Sequence, residues 1–375
     1  MKKKIAIIGS GIGGLTAANL LIKNSDFEIM VYEKERMLNL DEGYGIQLAT
    51  NSVSVLNKIG FKNIGNNDIF SPLKLNFYSN NNKICDLDLG RFNNDSVKYT
   101  TLQRSTLIEF LKDKLFTNNF RFGKKVCKVS KIKDKLLINF ADNTNDLVDF
   151  IIVSDGVFSN TKSIIENKII KPRFNGSVAI RTVFKFSEEL NYESKNISLI
   201  MLSNAHVVIY PINKQNDLNL VCIVREKLSQ NYDIHSIIKK KILGEDKNLE
   251  NLFKGDLRLW PVYVTKKPIK SIYDNVFYLG DDFYTFVPAL AQGASQSIEA
   301  AYELFNLLSE NKKNIQNLYF RKRLKKTTQI SKRSKFNYFG FHISNPLLEI
   351  LRNFFLKRLI KNKNFIESYL GKIYK

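Results

Sequence analysis

Residues 4–33 read KIAIIGSGIGGLTAANLLIKNSDFEIMVYE, and this stretch decides the fold. A short β-branched run predicts a buried strand, and a glycine-rich turn and an apolar helix follow it directly. Gly9, Gly11 and Gly14 fill the pattern G-x-G-x-x-G, which permits a tight turn, close approach of the backbone to a pyrophosphate, and close packing of the helix. A second strand ends at Glu33, where a carboxylate can accept hydrogen bonds from a ribose. The stretch therefore predicts a dinucleotide site of the Rossmann type.

The glycine motif by itself leaves the cofactor open, because NAD and FAD sites share it. Further motifs follow it along the chain: GYGIQL (43–48), LQR (102–104), VSDG (153–156), YLGD (278–281) and PALAQGA (288–294). In this order they resemble the single-component FAD-dependent aromatic hydroxylases. This family of flavoprotein monooxygenases includes the p-hydroxybenzoate, salicylate and 6-hydroxynicotinate hydroxylases. The resemblance extends over nearly the whole chain.

The resemblance implies an α/β fold. In it, a Rossmann-like FAD-binding domain is interwoven with a mostly antiparallel β-sheet substrate domain and followed by a C-terminal helical segment. The resemblance also implies FAD as the cofactor, NAD(P)H as a transiently held co-substrate, and O2 and a small aromatic compound as substrates. In such enzymes a flavin C4a-hydroperoxide transfers one oxygen atom to the ring, while the protein orients the reactants and excludes water.

The cofactor-binding residues are predicted from their places beside strands and helices. Gly280 and Asp281 follow an apolar strand, so this carboxylate is expected at the carboxyl edge of a parallel sheet, where it can hold ribityl hydroxyls. The amides of 292–294 precede a long helix and would point towards the flavin. The resemblance places Arg104 near the flavin or its pyrophosphate. The full predicted set is Gly9, Gly11, Gly14, Glu33, Arg104, Asp155, Gly280, Asp281, Gln292, Gly293 and Ala294.

Alternating strands in the middle of the chain are expected to form a sheet that roofs the flavin, with the substrate between the two. Candidate residues on this roof are Arg181, His206 and Tyr210, which could favour a phenolate, and Arg181 could equally pair with a substrate carboxylate. His206 also fits a packed core histidine. Pro288, in the turn before the long helix, completes the candidate catalytic set. No metal site is expected, because the three histidines and three cysteines show no ligand spacing.

Two departures from the family pattern affect the cofactor site. The residues that follow Gly280 and Asp281 are Asp282-Phe283-Tyr284, where the family has Ala-Ala-His. After the VSDG motif, the family's Arg-x-Arg is replaced by Asn160-Thr161-Lys162. This replacement drops one cation, although Lys162 could still assist a nucleotide or the pyrophosphate.

Length and composition suit two interwoven domains, since 375 residues with 44% hydrophobic content can bury a large core. Alternating strands mark the substrate domain, and the motifs above mark the cofactor domain. The expected division is an FAD-binding domain at 1–70, 97–170 and 271–345, a substrate-binding β-sheet domain at 71–96 and 171–270, and a C-terminal basic helix at 346–375.

The net charge of +22 is concentrated near the C-terminus, where residues 321–375 carry 15 lysines and arginines and two acids. Segment 346–360 is apolar with cations at its edges. It could pack on the flavin domain with its lysines towards solvent, or it could lie on an anionic membrane surface. Nucleic-acid binding is not expected, because the segment has no recognition motif.

Three cysteines without a paired framework, and a strand that begins right after Met1, predict a cytoplasmic protein without a signal peptide. It is expected either free or peripheral to the inner face of a membrane, and as a monomer or a homodimer. Two alternatives to the hydroxylation of a small aromatic substrate stay open. One is the hydroxylation of a prenylated quinone precursor at the membrane surface. The other is a non-oxygenase flavoprotein, either a reductase or an FAD-binding protein without turnover.

Overall fold

The computed structural model describes residues 2–38, 40, 44–79, 81–186 and 192–374. Gly43, the first residue of the GYGIQL motif, lies outside the described residues.

The bounds of the elements are as follows. The strands are β1 Lys3–Ile8, β2 Phe27–Tyr32, β3 Gly45–Leu48, β4 Ile69–Phe70, β5 Lys74–Ser79, β6 Asn82–Asp88, β7 Thr100–Gln103, β8 Phe120–Arg121, β9 Val126–Ile132, β10 Lys135–Phe140, β11 Asn145–Val148, β12 Phe150–Val153, β13 Arg173–Lys185, β14 Ile197–Leu202, β15 Ala205–Pro211, β16 Asp217–Arg225, β17 Arg258–Val264 and β18 Val276–Tyr278. The α-helices are α1 Ile12–Leu21, α2 Thr50–Asn57, α3 Arg104–Lys112, α4 Asn160–Ile165, α5 Ile234–Ile238, α6 Gly293–Ser309, α7 Ile315–Phe341, α8 Pro346–Lys361, α9 Lys363–Ile366 and α10 Lys372–Tyr374. Short 3-10 segments are Phe61–Asn63, Gly90–Phe92, Thr117–Asn119, Lys247–Phe253 and Gly280–Asp282, and short π segments are Lys239–Leu243 and Glu367–Gly371.

The first large sheet consists of five parallel strands in the order β18-β12-β1-β2-β8. Its central strands are short apolar runs, as expected for strands that are covered on both faces. The side chains of β1 alternate between the two faces of the sheet, and each face is covered by a different layer. Ile5 and Ile7 pack with α1 and α6, while Ala6 and Ile8 pack against the small antiparallel sheet β11-β10-β9. The predicted Rossmann-like sheet is confirmed.

The second large sheet has seven strands in the order β17-β13-β16-β15-β14-β5-β6. Its pairs are antiparallel except for the parallel pair of β14 with β5, so the expectation of a mostly antiparallel second sheet is confirmed. Alternation along β15 separates its two faces. Val207 and Ile209 pack in an apolar cluster with α5, whereas His206, Val208 and Tyr210 line a cavity on the other face.

The two large sheets take their strands from different parts of the chain. The parallel sheet uses strands from 1–70, 97–170 and 271–345, and the seven-stranded sheet uses strands from 71–96 and 171–270. We therefore propose these sheets as the cores of the FAD-binding and substrate-binding domains.

Helix α7 is tied to α6 through a buried charge. Arg323 of α7 is almost fully buried, and its guanidinium donates to Glu299 and Glu303 of α6 at 3.1 and 3.2 Å. A buried guanidinium needs such partners, because desolvation of an unpaired charge is costly. The two carboxylates therefore hold α7 against α6.

The C-terminal segment differs from the single helix expected at 346–375. Helix α8 ends at Lys361, because the side chain of Asn362 accepts a hydrogen bond from the amide of Phe365 at 3.0 Å and starts α9. Beyond this break the chain turns inward and buries Ile373. In the part of the chain that the structure describes, every helix is too short or too polar to cross a bilayer.

Candidate active site

Four strand ends meet at one edge of the parallel sheet. Strands β18, β12, β1 and β2 lie side by side and end at this edge. The residues just after these strand ends include Gly280, Asp155, Gly9 and Glu33. Predicted cofactor residues from four segments of the chain are therefore neighbours at this edge. Ligands of parallel α/β sheets bind at this carboxyl edge.

The turn between β1 and α1 leaves one side of its backbone open. Gly9 has a φ of +99°, and a Cβ there would lie 2.5 Å from the main-chain oxygen of Ser154. A Cβ on Gly14 would overlap the main-chain oxygen of Gly9. In contrast, a Cβ on Gly11 would meet nothing within 4 Å. Because α1 starts here without a side-chain cap, its first amides and the positive end of its dipole are available to a phosphate.

Glu33 holds the glycine-rich turn from the neighbouring strand. Its Oε2 accepts hydrogen bonds from the amide of Ser10 at 3.0 Å and from the Ser10 hydroxyl at 2.6 Å. Its Oε1 accepts from the amide of Glu35 at 3.1 Å. The carboxylate is half-buried, so it remains within reach of solvent or a ligand. Its role in binding the ribose stays a prediction.

Asp155 and Asp282 face each other beside the end of β12. Asp155 accepts a hydrogen bond from the Thr161 hydroxyl at 2.7 Å, and its Oδ1 is buried without a partner among the described residues. Asp282 accepts from the amide of Gly156 at 2.8 Å. Burial and the adjacent Asp155 raise the pKa of Asp282 well above its usual value. The departure from the family pattern thus adds a carboxyl group beside Asp155.

The structure corrects the expected role of Lys162. Its side chain is almost fully buried, and its ammonium group donates to the main-chain oxygen of Asp282 and lies 5.6 Å from the ring centroid of Tyr278. Lys162 therefore stabilises the turn after β18 and is not free to contact a nucleotide. Phe283 in the same turn packs against Tyr319 and Phe320.

Gly280 and Asp281 form the corner that joins the sheet edge to the cavity. Gly280 has a φ of +64°, and a Cβ there would lie 2.7 Å from the hydroxyl of Ser297. Asp281 is half-buried and borders the cavity. Burial raises the pKa of Asp281 to about 6, although Lys162 acts in the opposite direction. Such a carboxyl group gains from ligand hydroxyls that donate hydrogen bonds to it.

A mostly apolar cavity of about 430 Å³ lies between the second large sheet and the start of α6. All four candidate catalytic residues line it, and so do several predicted cofactor residues. These residues are Arg181, His206, Tyr210, Pro288, Asp281, Gln292, Gly293 and Ala294. Gln47 of the GYGIQL motif lines the cavity as well.

Arg181 is the cation of this cavity. Its guanidinium carbon lies 5.8 Å from the ring centroid of Tyr44 and 6.0 Å from that of Trp260. The two rings are in edge contact at 4.8 Å and position the side chain by cation–π attraction. The side chain of Arg181 makes no hydrogen bond or ion pair with any described residue, so its guanidinium donors remain for a ligand. Nearby, burial raises the pKa of Tyr210, with Arg181 opposing, and the phenol stays neutral.

His206 is paired with a histidine that sequence reasoning did not identify. Its Nδ1 lies 2.7 Å from Nε2 of His342, at the end of α7. Both rings are almost fully buried, and burial lowers the pKa of His206 to about 3, so the imidazole is neutral at physiological pH. Burial, then His206 and Arg225, lower the pKa of His342 as well. No local pattern joins residues 136 positions apart, and the contact follows from packing alone.

The loop before α6 presents backbone groups to the cavity. Ala291 adopts a φ of +50°, and α6 begins at Gly293 without a side-chain cap. The Gln292 side chain accepts from Gln296 at 3.1 Å, while its own Nε2 is buried without a partner among the described residues. The positive end of α6 therefore points at the edge of the cavity, together with Pro288.

Other predicted residues lie away from the cavity. Arg104 is half-buried at the start of α3, and its amide donates to the main-chain oxygen of Tyr44 at 2.8 Å. Asn51 donates to Glu299 and does not line the cavity. Sequence reasoning also missed the third wall of the cavity, which comes from residues in 336–341, 356–360 and 365–374.

Comparison with known proteins first defines the fold. The model of the NAD(P)-binding Rossmann-like domain matches residues 7–38. Among solved structures, HpxO from Klebsiella pneumoniae, complexed with FAD and uric acid, aligns with a TM-score of 0.87 at 17% identity and covers 99% of this chain and 96% of its own. The chain therefore has the fold of an FAD-complexed protein, and the predicted fold class is confirmed.

Sequence relatives then identify the family that the chain resembles. The 3-amino-4-hydroxybenzoate 2-monooxygenase PtmB3 of Streptomyces platensis is 23% identical over 370 residues, which cover 94% of this chain and 92% of the relative. The 6-hydroxynicotinate 3-monooxygenase of Bordetella bronchiseptica is 23% identical over 326 residues, which cover 82% of this chain and 83% of the relative. The chain is thus similar over most of its length to FAD-dependent aromatic monooxygenases, and the resemblance predicted from its motifs is confirmed.

Proposed function

We propose that the chain is an FAD-dependent monooxygenase that uses NAD(P)H and O2 to hydroxylate a small aromatic acid. The observation that carries this proposal is one cavity shared by two sets of groups. Asp281 and residues 292–294 supply the flavin side, and Arg181, His206 and Tyr210 supply the substrate side. The names of the relatives support the substrate class, since hydroxylated benzoate and nicotinate are aromatic acids.

The residues of the sheet edge fit FAD. The open side of Gly11 and the first amides of α1 would receive the pyrophosphate, and Glu33 the adenosine ribose. Asp281 would hold the ribityl hydroxyls. The buried Oδ1 of Asp155 and Nε2 of Gln292 lack partners among the described residues, and a bound cofactor would supply them. FAD, when bound, supplies the chemistry of hydride acceptance and O2 activation.

Arg181 would orient the substrate. This guanidinium lies at the wall of an apolar cavity and has no carboxylate partner in the part of the chain that the structure describes. It therefore favours an anionic ligand and can bind a carboxylate through two parallel hydrogen bonds. The apolar lining excludes water, which strengthens this interaction. Exclusion of water also limits unproductive side reactions. The residues that line the cavity would therefore both position the substrate and keep water away from it.

His206 would donate a hydrogen bond to an oxygen of the substrate. If its Nδ1 donated to His342, then the Nδ1 of His342 would carry a buried hydrogen without an acceptor. An unpaired buried N–H is rare in proteins. The preferred arrangement therefore has the Nε2–H of His342 donating to Nδ1 of His206. His206 then carries its own hydrogen on Nε2, where it serves a ligand in the cavity.

The test is the absorbance spectrum of the purified protein, followed by oxidation of NADH and NADPH with 6-hydroxynicotinate, 3-amino-4-hydroxybenzoate, salicylate and a prenylated phenol. Hydrogen peroxide is quantified in each reaction. We expect flavin absorbance, and an oxidation rate that rises with at least one acid and yields little peroxide. A flavin-loaded protein that responds only to a prenylated phenol would favour a quinone precursor instead.

Two outcomes would contradict the proposal. A flavin-loaded protein that responds to no aromatic compound would indicate a reductase or an FAD-binding protein without turnover. A colourless protein that cannot be loaded with FAD would remove the cofactor on which the proposal depends.

A further inference from the structure

Helix α8 turns an apolar face towards solvent. None of its residues is buried, and Leu347, Ile350, Leu351, Phe354 and Phe355 are each between 50% and 72% exposed. Steps of three and four residues place these side chains on one side of the helix. A contiguous exposed apolar face is unusual for a monomeric protein and indicates an interaction surface.

The opposite face of α8 fixes this orientation. Leu356, Leu359 and Ile360 line the cavity. The guanidinium of Arg352 donates to the Ser79 hydroxyl at 2.8 Å and to the main-chain oxygen of Gly340 at 3.3 Å. Because these contacts lie on the inner side, the helix cannot turn its exposed apolar residues inward without breaking them.

Cations border the apolar face. Lys357, Arg358 and Lys361 are exposed in the second half of α8, and the guanidinium of Arg358 lies 5.2 Å from the ring centroid of Phe354. Glu349, the acid of this helix, is half-buried and paired with Arg352 at 3.4 Å. The exposed side of α8 is therefore apolar and positively charged.

The charges decide between two occupants of this face. A second copy of the chain would bring like charges together across the contact, in a protein whose net charge is already +22. An anionic lipid surface complements the cations and also accepts apolar side chains. Charge complementarity therefore favours the lipid surface.

We propose that α8 docks the protein on an anionic lipid bilayer. Leu347, Ile350, Leu351, Phe354 and Phe355 enter the boundary between headgroups and acyl chains, and the cations at 357, 358 and 361 contact the headgroups. Docking is peripheral, and α8 then separates the bilayer from the cavity. This inference is independent of the reaction proposed above, because it rests on the outer face of the helix alone.

The test is flotation of the full chain with vesicles of phosphatidylcholine, with and without phosphatidylglycerol. We expect binding to the anionic vesicles, and at least about tenfold weaker binding to the neutral ones. The double variant Leu351→Asp/Phe354→Asp should bind anionic vesicles about 100-fold more weakly, because two apolar side chains that would enter the bilayer are lost. The matched control is Ile169→Asp, which changes an apolar residue that is 82% exposed elsewhere on the molecule and should leave binding unchanged.

A second variant, Lys357→Glu/Lys361→Glu, keeps the apolar face and should lose the preference for anionic vesicles. Circular dichroism melting checks that each variant is folded. Absence of vesicle binding by the unaltered chain, or equal binding by the Leu351/Phe354 variant, overturns the proposal. A lipid-free dimer that this variant converts to a monomer in analytical ultracentrifugation also overturns it and assigns the face to a second copy.

Discussion

The β1–α1 turn and the cavity belong to one candidate site but are built in opposite ways. The turn consists of consecutive residues, and its shape depends on missing side chains at Gly9 and Gly14. The cavity consists of side chains from the second large sheet, the loop before α6 and the C-terminal segment. A phosphate can be bound by backbone alone, whereas an aromatic ring must be selected by side chains. The fold can therefore persist at 17% identity, while the cavity changes with its lining.

The largest effect is expected from a substitution in the β1–α1 turn, the part of the site that is built from backbone. Gly14→Ala places a Cβ against the main-chain oxygen of Gly9, so we expect the free energy of unfolding to fall by about 3 kcal/mol and FAD binding to be lost. Gly11→Ala is the matched control, because its Cβ would meet nothing within 4 Å. It should keep the stability of the FAD-free protein and weaken FAD binding alone. Urea unfolding and FAD titration measure both quantities, and equal stability losses in the two variants would contradict a turn set by Gly14.

A smaller loss of FAD binding, with a comparable change in the free energy of unfolding, is expected at Asp281, where the two halves join. Its pKa is about 6 in the folded protein, above the usual 3.8, so ionisation favours the unfolded state. The FAD-free protein should therefore lose stability as the pH rises from 3.8 to about 6, and this loss persists at higher pH. Asp281→Asn should be more stable than the unaltered protein by about 3 kcal/mol above this window and about equal below it. It should also bind FAD more weakly, since the carboxylate acceptor is gone.

The check on Asp281 is urea unfolding of both FAD-free proteins on each side of this pH window. A stability difference that does not change with pH would show that Asp281 ionises normally, and the argument from burial would fail.

The smallest effect is expected from a substitution in the cavity, the part of the site that is built from side chains. Arg181→Met keeps the length of the side chain and removes the cation, so affinity for an aromatic acid should fall about 30-fold, or about 2 kcal/mol, with FAD affinity unchanged. Arg91→Met is the control, because Arg91 also lies over an aromatic ring, at 5.8 Å from Phe92, but does not line the cavity. Titration of the flavin spectrum with 6-hydroxynicotinate gives the affinities. Unaltered affinity in Arg181→Met would remove Arg181 from the substrate site.

The sequence by itself determined the parts of the molecule that depend on neighbours along the chain. The run before Gly9 is apolar because its strand is covered on both faces, and the glycine spacing marks the turn because only glycine fits there. Alternation in β15 placed His206 and Tyr210 on one face of a strand. These patterns of spacing and alternation are local, so they can be recognised in the sequence without a structure.

Only the tertiary structure decided what those faces meet. It buried Lys162 against Asp282, paired His206 with His342, and closed the cavity with the C-terminal segment. Among the described residues, it also left the side chain of Arg181 without an ionic partner. It also left the apolar side of α8 in solvent. Such outcomes depend on desolvation and on packing between positions far apart in the chain. A local pattern of residue types carries no information about either.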